Sequence, residues 1–156
     1  MAAGDLNFSG AISLSDMMTT DLNSLASTKS NVGAVVLDNT SNEHQNFVAE
    51  LVLASVDLSA QTNPAVELYL VPSADGTNYA DTGTDDSATN LPNSRYLAGI
   101  FGIQATSAAH RAVIVMQGYL LNLKYTPVLV NKTGAAFAAT GNTLKIGTNA
   151  YNMAQS

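Results

Sequence analysis

The sequence predicts an all-β fold, an antiparallel β-sandwich or jelly roll with an extended N-terminal arm. Three observations carry that expectation. About eight short β-rich runs recur at regular spacing, with polar turns between them. The longest runs alternate apolar and polar residues with a period of about two. No stretch is long enough to supply the crossover helices of a parallel sheet.

Residues 1–30 read as the arm and 31–156 as the sandwich domain. In SLSDMMTTDLNSLASTKS, Leu14, Met17, Met18, Leu22 and Leu25 could share a helical face. Thr19, Thr20, Asn23, Ser24 and Ser27 compete for backbone hydrogen bonds, so the segment is expected to be irregular, with one or two helical turns at most. A strand over 32–37 follows and ends in Asp38-Asn39-Thr40-Ser41-Asn42, an Asx-turn composition.

The stretch from Asn46 to Pro72 organises the rest. In NFVAELVLAS, Phe47, Ala49, Leu51 and Leu53 share a side opposite Val48, Glu50, Val52 and Ala54. In AVELYLV, Val66, Leu68 and Leu70 oppose Glu67, Tyr69 and Val71. Each run therefore has a buried face and an outer face bearing one acid. After Pro72 comes the longest polar region, SADGTNYADTGTDDSATNLPNS, with a turn at Asp75-Gly76 and Tyr79 as an isolated anchor. Its length marks it for functional contact or local disorder.

Four further β segments are expected near 95–103, 110–121, 122–131 and 143–150, with a small-residue strand around Phe137. The 110–121 segment is apolar on both sides, as suits a central strand or one whose outer face meets a partner. Pro127 removes a ladder donor, which places its strand at an edge or a bulge.

At 156 residues the chain is one domain, long enough for a core without disulfides. Charged residues are 12% and apolar ones 46%; Asn, Thr, Ser and Gly stand where charge is missing. Neutral amides and hydroxyls cost less to desolvate than ions, so such a surface suits packing against other proteins. The net charge of −6, with six scattered Lys and Arg, argues against direct binding to nucleic acid. The chain has no cysteine, which excludes disulfide and thiolate chemistry. Its first residues lack a signal-peptide pattern, and no run is long enough to span a membrane, so no membrane partner is expected. The Asn-x-Ser/Thr triplets at Asn7, Asn39 and Asn131 read as products of composition.

Candidate chemistry is sparse. His44 and His110, each before a strand, could hold a metal with an acid such as Glu43; capping of loops explains them as well. Glu50 and Glu67, if on neighbouring strands, could stand about 5–9 Å apart as glycosidase carboxylates do. Asp75, Asp81, Asp85 and Asp86 invite a calcium reading, but their spacing is not that of an EF-hand and a solvated loop accounts for them. Tyr69, Tyr79, Tyr96, Tyr119, Tyr125 and Tyr151 could form a sugar-stacking or interface platform, or pack over sheet surfaces. No catalytic, cofactor-binding or metal residue is assigned, no cofactor is expected, and an enzyme is not.

LNSLAS, VVLDNTSN, VELYLVPSADGTNYAD, RYLAGI and VLVNKTGAAFAATGNTLKI together resemble small virion proteins of tailed bacteriophages encoded among head and tail genes. The resemblance covers most of residues 20–148 and is most specific at YLVPSADGTNY and NKTGAAFAATGN. The arm with Met17 and Met18, and His44 in NTSNEHQN, depart from it. It implies a virion component and carries over no catalytic residue. The expectation is a capsid decoration or cement protein, homotrimeric, on the outer surface of the capsid where subunits of the major capsid protein meet. A tail, neck or head-fibre component and a carbohydrate-binding adhesion module are the alternatives, with a jelly-roll hydrolase last. Residues 5–30, 73–94 and 112–120 are the expected contact regions.

Overall fold

The computed structural model describes residues 12–42 and 44–150 in full, and 6–8 and 151–153 as backbone. Its body is two antiparallel sheets packed face to face. The four-stranded sheet has β2 (Ser15–Met18), β10 (Thr143–Asn149), β5 (Asn46–Asp57) and β8 (Ser107–Met116), side by side in that order. The five-stranded sheet has β3 (Ser30–Val32), β9 (Lys124–Lys132), β6 (Ala65–Ser73) and β7 (Leu97–Gly102), with β4 (Leu37–Asp38) also on β9. A separate ribbon pairs β1 (Leu6–Phe8) with β11 (Tyr151–Met153).

The alternation read in β5 and β6 is the core. Phe47, Ala49, Leu51 and Leu53 face Val66, Leu68 and Leu70 across the sandwich, all buried. Burying each of these side chains other than Ala49 contributes about 1.5–3 kcal/mol. The two strands are not sheet neighbours, however. Residues 58–64 carry the chain from one sheet to the other, with Leu58 and Pro64 buried. Two one-sided strands cover each other best face to face, and a link of this length bridges sheets spaced about 10 Å apart.

From Ser15 onward, the expected arm is part of the body. β2 adds to β10, a single 3-10 turn spans Thr20–Leu22, and Met17, Met18, Leu22 and Leu25 lie in the core. A boundary at residue 30 therefore falls inside the sandwich. Residues 1–5 and 9–11 of the expected arm lie outside the described residues.

Pro127 corrects another expectation, because β9 is flanked on both sides. Its partner there is interrupted instead: Val32 pairs with Val128 and Leu37 with Tyr125, leaving the break between β3 and β4 opposite Pro127. The missing N–H is not needed at the break. Gly33 N–H donates to Pro127 O at 2.8 Å, and Thr126 Oγ1 donates to Gly33 O at 3.1 Å. A Cβ on Gly33 would stand 2.8 Å from Pro127 Cγ, so only glycine lets the chain cross there.

The strand expected around Phe137 is a pinned loop. Asn131 donates to Leu25 O and Ala135 O, both at 2.8 Å, and accepts from Thr133 N and Oγ1. Asn142 donates to Ala138 O at 2.7 Å and accepts from Ala54 N at 3.1 Å. The two buried amides replace a strand ladder, and Phe137 is delivered to the core between them.

The polar region after Pro72 is ordered over the outer face of the five-stranded sheet. Tyr79, Ala80, Leu91, Tyr96 and Leu97 pack on Tyr69, Val71, Val128 and Val130 as a second, smaller core. Residues 84–87 then run along the β3 edge: Asp86 N donates to Ser30 O at 2.7 Å, Ser30 N to Ser87 O at 3.0 Å, and Val32 N to Asp85 Oδ1 at 2.7 Å. This sheet edge is thereby closed.

Candidate functional site

Among the described residues, β8 pairs with β5 alone and leaves its other side as an open edge of the four-stranded sheet. Antiparallel pairing with β5 holds it on one side, in register from Phe47 opposite Met116 to Asp57 opposite Ser107. The 110–121 segment is thus not a central strand, though both of its faces are apolar: His110 and Ile114 turn inward and are buried. Val113 and Val115 turn outward, 55% and 64% exposed. An edge strand of ten residues with one charge is the type that natural proteins usually blunt.

That charge is paired. Arg111 Nη1 meets Glu50 Oε2 at 2.8 Å, and Lys145 Nζ meets Asp16 at 3.4 Å. Lys145 sits opposite both Glu50 and Asp16 in register, so an alternating charged row crosses the sheet from β2 to β8. Between the end of β7 and β8 lies a groove of about 380 Å³, lined by Gly102, Gln104, Thr106, His110 and Arg111 among others. His110 is only 8% exposed, and its Nε2 is buried without a hydrogen-bond partner.

A second cleft, of about 450 Å³, opens on the opposite side of the sandwich between β2 and β4. Ser15, Val35, Val36, Asp38 and His44 line it. His44 Nδ1 is 2.7 Å from Thr148 Oγ1. The Asp38 carboxyl is held below its ordinary value by the Thr40 hydroxyl and amide, with Lys124 nearby at 3.3 Å.

The residues singled out for chemistry are not brought together. His44 lies beside Thr148, which is level with Phe47 near the start of β5, and His110 pairs with Leu53, so the two are about 20 Å apart at strand rise. Glu43 lies outside the described residues. Among the described residues no three His, Asp or Glu stand close enough to hold a metal. Glu50 and Glu67 occupy the outer faces of opposite sheets, so the whole sandwich separates them. The expected neighbouring carboxylates are corrected by the crossing at 58–64.

Two of the four loop acids, Asp75 and Asp85, serve backbone amides. Asp75 accepts from Asn78 N, Asn78 Nδ2, Thr77 N and Ser73 Oγ, which hold its carboxyl far below the usual range. Asp85 takes the β3 amide, and Asp86 meets Lys29 at 3.3 Å.

The tyrosines whose side chains are described are covered rather than displayed. Tyr69 and Tyr125 are buried, Tyr79 and Tyr96 belong to the second core, and Tyr119 stacks edge-on against Phe47 at 5.6 Å. No aromatic platform faces solvent among the described tyrosine side chains. Composition alone cannot tell such tyrosines from exposed ones, whereas the lone charge in HRAVIVM is a readable mark of the open edge.

No protein-family model matches the chain, and no curated protein does. A solved structure described as "xylan-binding module CBM15" superposes with a TM-score of 0.38 at 11% identity, over 99% of this chain and 93% of that one. A superposition that loose carries no argument; the β-sandwich assignment rests on the sheets themselves.

Proposed function

We propose that this chain is a non-catalytic virion structural protein of a tailed bacteriophage, a capsid decoration protein that holds protein neighbours through the open β8 edge. One observation carries the contact: Val113 and Val115 stand exposed on an unblunted edge strand whose only charge is already paired. Unsatisfied backbone groups along such an edge accept a further strand, and the apolar side chains add area. The virion assignment is supported by the resemblance over residues 20–148. A decoration protein needs weak joints repeated over the shell rather than chemistry, so a modest contact suffices. The acids and histidines are dispersed or engaged in turns, in keeping with a non-catalytic role, and the covered tyrosines weaken the adhesion-module alternative.

The test is made on particles of the phage that encodes the chain. The chain should be found with purified tail-free heads, as density on the outer shell between major capsid subunits. Heads lacking it should lose resistance to heat or low ionic strength. Confinement to the tail tip would sink the decoration role, and retention of the protein by polysaccharide gels would replace it with adhesion.

A further inference from the structure

We infer that β8 is a self-pairing edge: two copies of this chain join antiparallel along it, about a two-fold axis through Val113, making one continuous sheet of their four-stranded sheets. The inference rests on reading β8 as a protein contact and names the partner.

Charge favours a second copy. Asp16 and Glu50 cancel Lys145 and Arg111 on this face, so the chain's net charge of −6 is carried elsewhere. Two acidic copies repel in most orientations and meet here across a neutral surface. The competing edges are poorer: β3 is closed by residues 84–87, β2 has four residues, and β7 has six, two of them glycine.

Register follows from parity. A two-fold axis perpendicular to the sheet keeps outward residues outward, so each residue must meet one of its own parity. An axis through Arg111 would set the two guanidiniums opposite each other, an unfavourable cross-strand pair. The register shift between Leu53 and Val56 disturbs the strand at Ala108–His110, leaving 111–116 regular. An axis through Val113 stays within that stretch, where one through Ala112 draws in His110 and one through Ile114 sets Arg111 opposite Gln117, beyond the strand. Val113 meets the partner's Val113, Ala112 meets the partner's Ile114, and Arg111 lays its stem beside the partner's Val115 while its head keeps Glu50. Such an interface is isologous and closes as a dimer, in place of the trimer expected from the resemblance.

Position 115 decides the matter because it faces Arg111 twice in this dimer. Sedimentation of the full chain from about micromolar to about millimolar concentration should show a monomer–dimer equilibrium. Val115→Lys should raise the dissociation constant about tenfold, and Val115→Glu should lower it severalfold, since the first creates two like-charge pairs and the second two opposite ones. Val115 is exposed, so at concentrations below the dissociation constant, where the chain is monomeric, both variants should keep the wild-type melting temperature. A wild-type chain that stays monomeric, or variants that weaken the dimer equally, would overturn the self-pairing. If that monomeric chain binds heads and both variants abolish binding, β8 remains a contact for another protein. A dimer indifferent to both variants, with head binding unchanged, removes β8 from both roles.

Discussion

Tyr69 donates its phenolic hydrogen to Glu67 Oε2 over 2.9 Å, both residues lying on the outer face of β6. The pair sits where the loop after Pro72 folds over the sheet, and Tyr69 is part of the apolar patch it covers. Burial first, and then the Glu67 carboxylate, push the Tyr69 hydroxyl up to about 12.

The consequence is a loss of stability in alkali. The folded value is raised, so the fold binds the phenolic proton more tightly than the unfolded chain does. The contribution is whole below the unfolded value near 10 and is lost as pH rises through about 12. Tyr119 and Tyr125 are shifted upward by burial and act in the same direction. The melting temperature should fall above about pH 10, and Tyr69→Phe should flatten part of that fall while leaving neutral stability within about 1 kcal/mol. Melting curves across that range check it; equal alkaline slopes in both proteins would refute the assignment.

Asn131 is the second point of strain on substitution. Its amide is buried and satisfies carbonyls of Leu25 and Ala135 together with the Thr133 amide and hydroxyl. Asn131→Ala strands several of these groups, each costing about 1–3 kcal/mol when left unmet, so a total loss of about 2–4 kcal/mol is expected. Urea denaturation measures it, with Asn122→Ala on the exposed turn as a control that should stay within about 0.5 kcal/mol.

The same residue shows where reading the sequence stops. The alternation in β5 and β6 is written in residue type, because burial selects apolar side chains at every second position. Which sheet each strand joins is not, since Phe47 and Val66 look the same whether their strands lie side by side or face to face. Asn131 and Asn142 carry the same amide as the exposed Asn122, and only the carbonyls around them make them structural. The triplets at Asn39 and Asn131 are likewise settled by burial: both side chains are inside the fold and occupied with backbone partners. Tyr79 was visible as an anchor in a polar run, but the face it anchors to is set by a distant strand.

Asp85 closes the β3 edge by accepting from Val32 N at 2.7 Å. Asp85→Ala removes that acceptor from an exposed amide, so the stability loss should be small, about 0.5–1.5 kcal/mol. The sharper signal is local. Hydrogen exchange at the Val32 amide should accelerate in Asp85→Ala and stay slow in Asp85→Asn, which keeps an acceptor oxygen. Equal exchange in all three proteins would mean that residues 84–87 do not guard this edge.

Gly99 and Ile114 fix how β7 and β8 close the sandwich at its open side. A Cβ on Gly99 would stand 2.9 Å from both Cδ1 and Cγ2 of Ile114, closer than carbon atoms tolerate, and Ile114 is itself buried on the inner face of β8. Gly99→Ala should therefore force the two edges apart or drive Ile114 off its rotamer, costing about 1–3 kcal/mol. Ile114→Val removes Cδ1 but keeps a branched Cβ, so it should relieve only part of the clash. Ile114→Ala removes both offending carbons and costs about 2–5 kcal/mol alone through the cavity it leaves. In the double variant the added methyl enters that cavity, so the two losses should sum to more than the measured one. A double-mutant cycle by urea denaturation gives the coupling, expected at about 1 kcal/mol or more. Strict additivity would show that β7 and β8 do not touch at this point and that the edge carrying Val113 is free to splay.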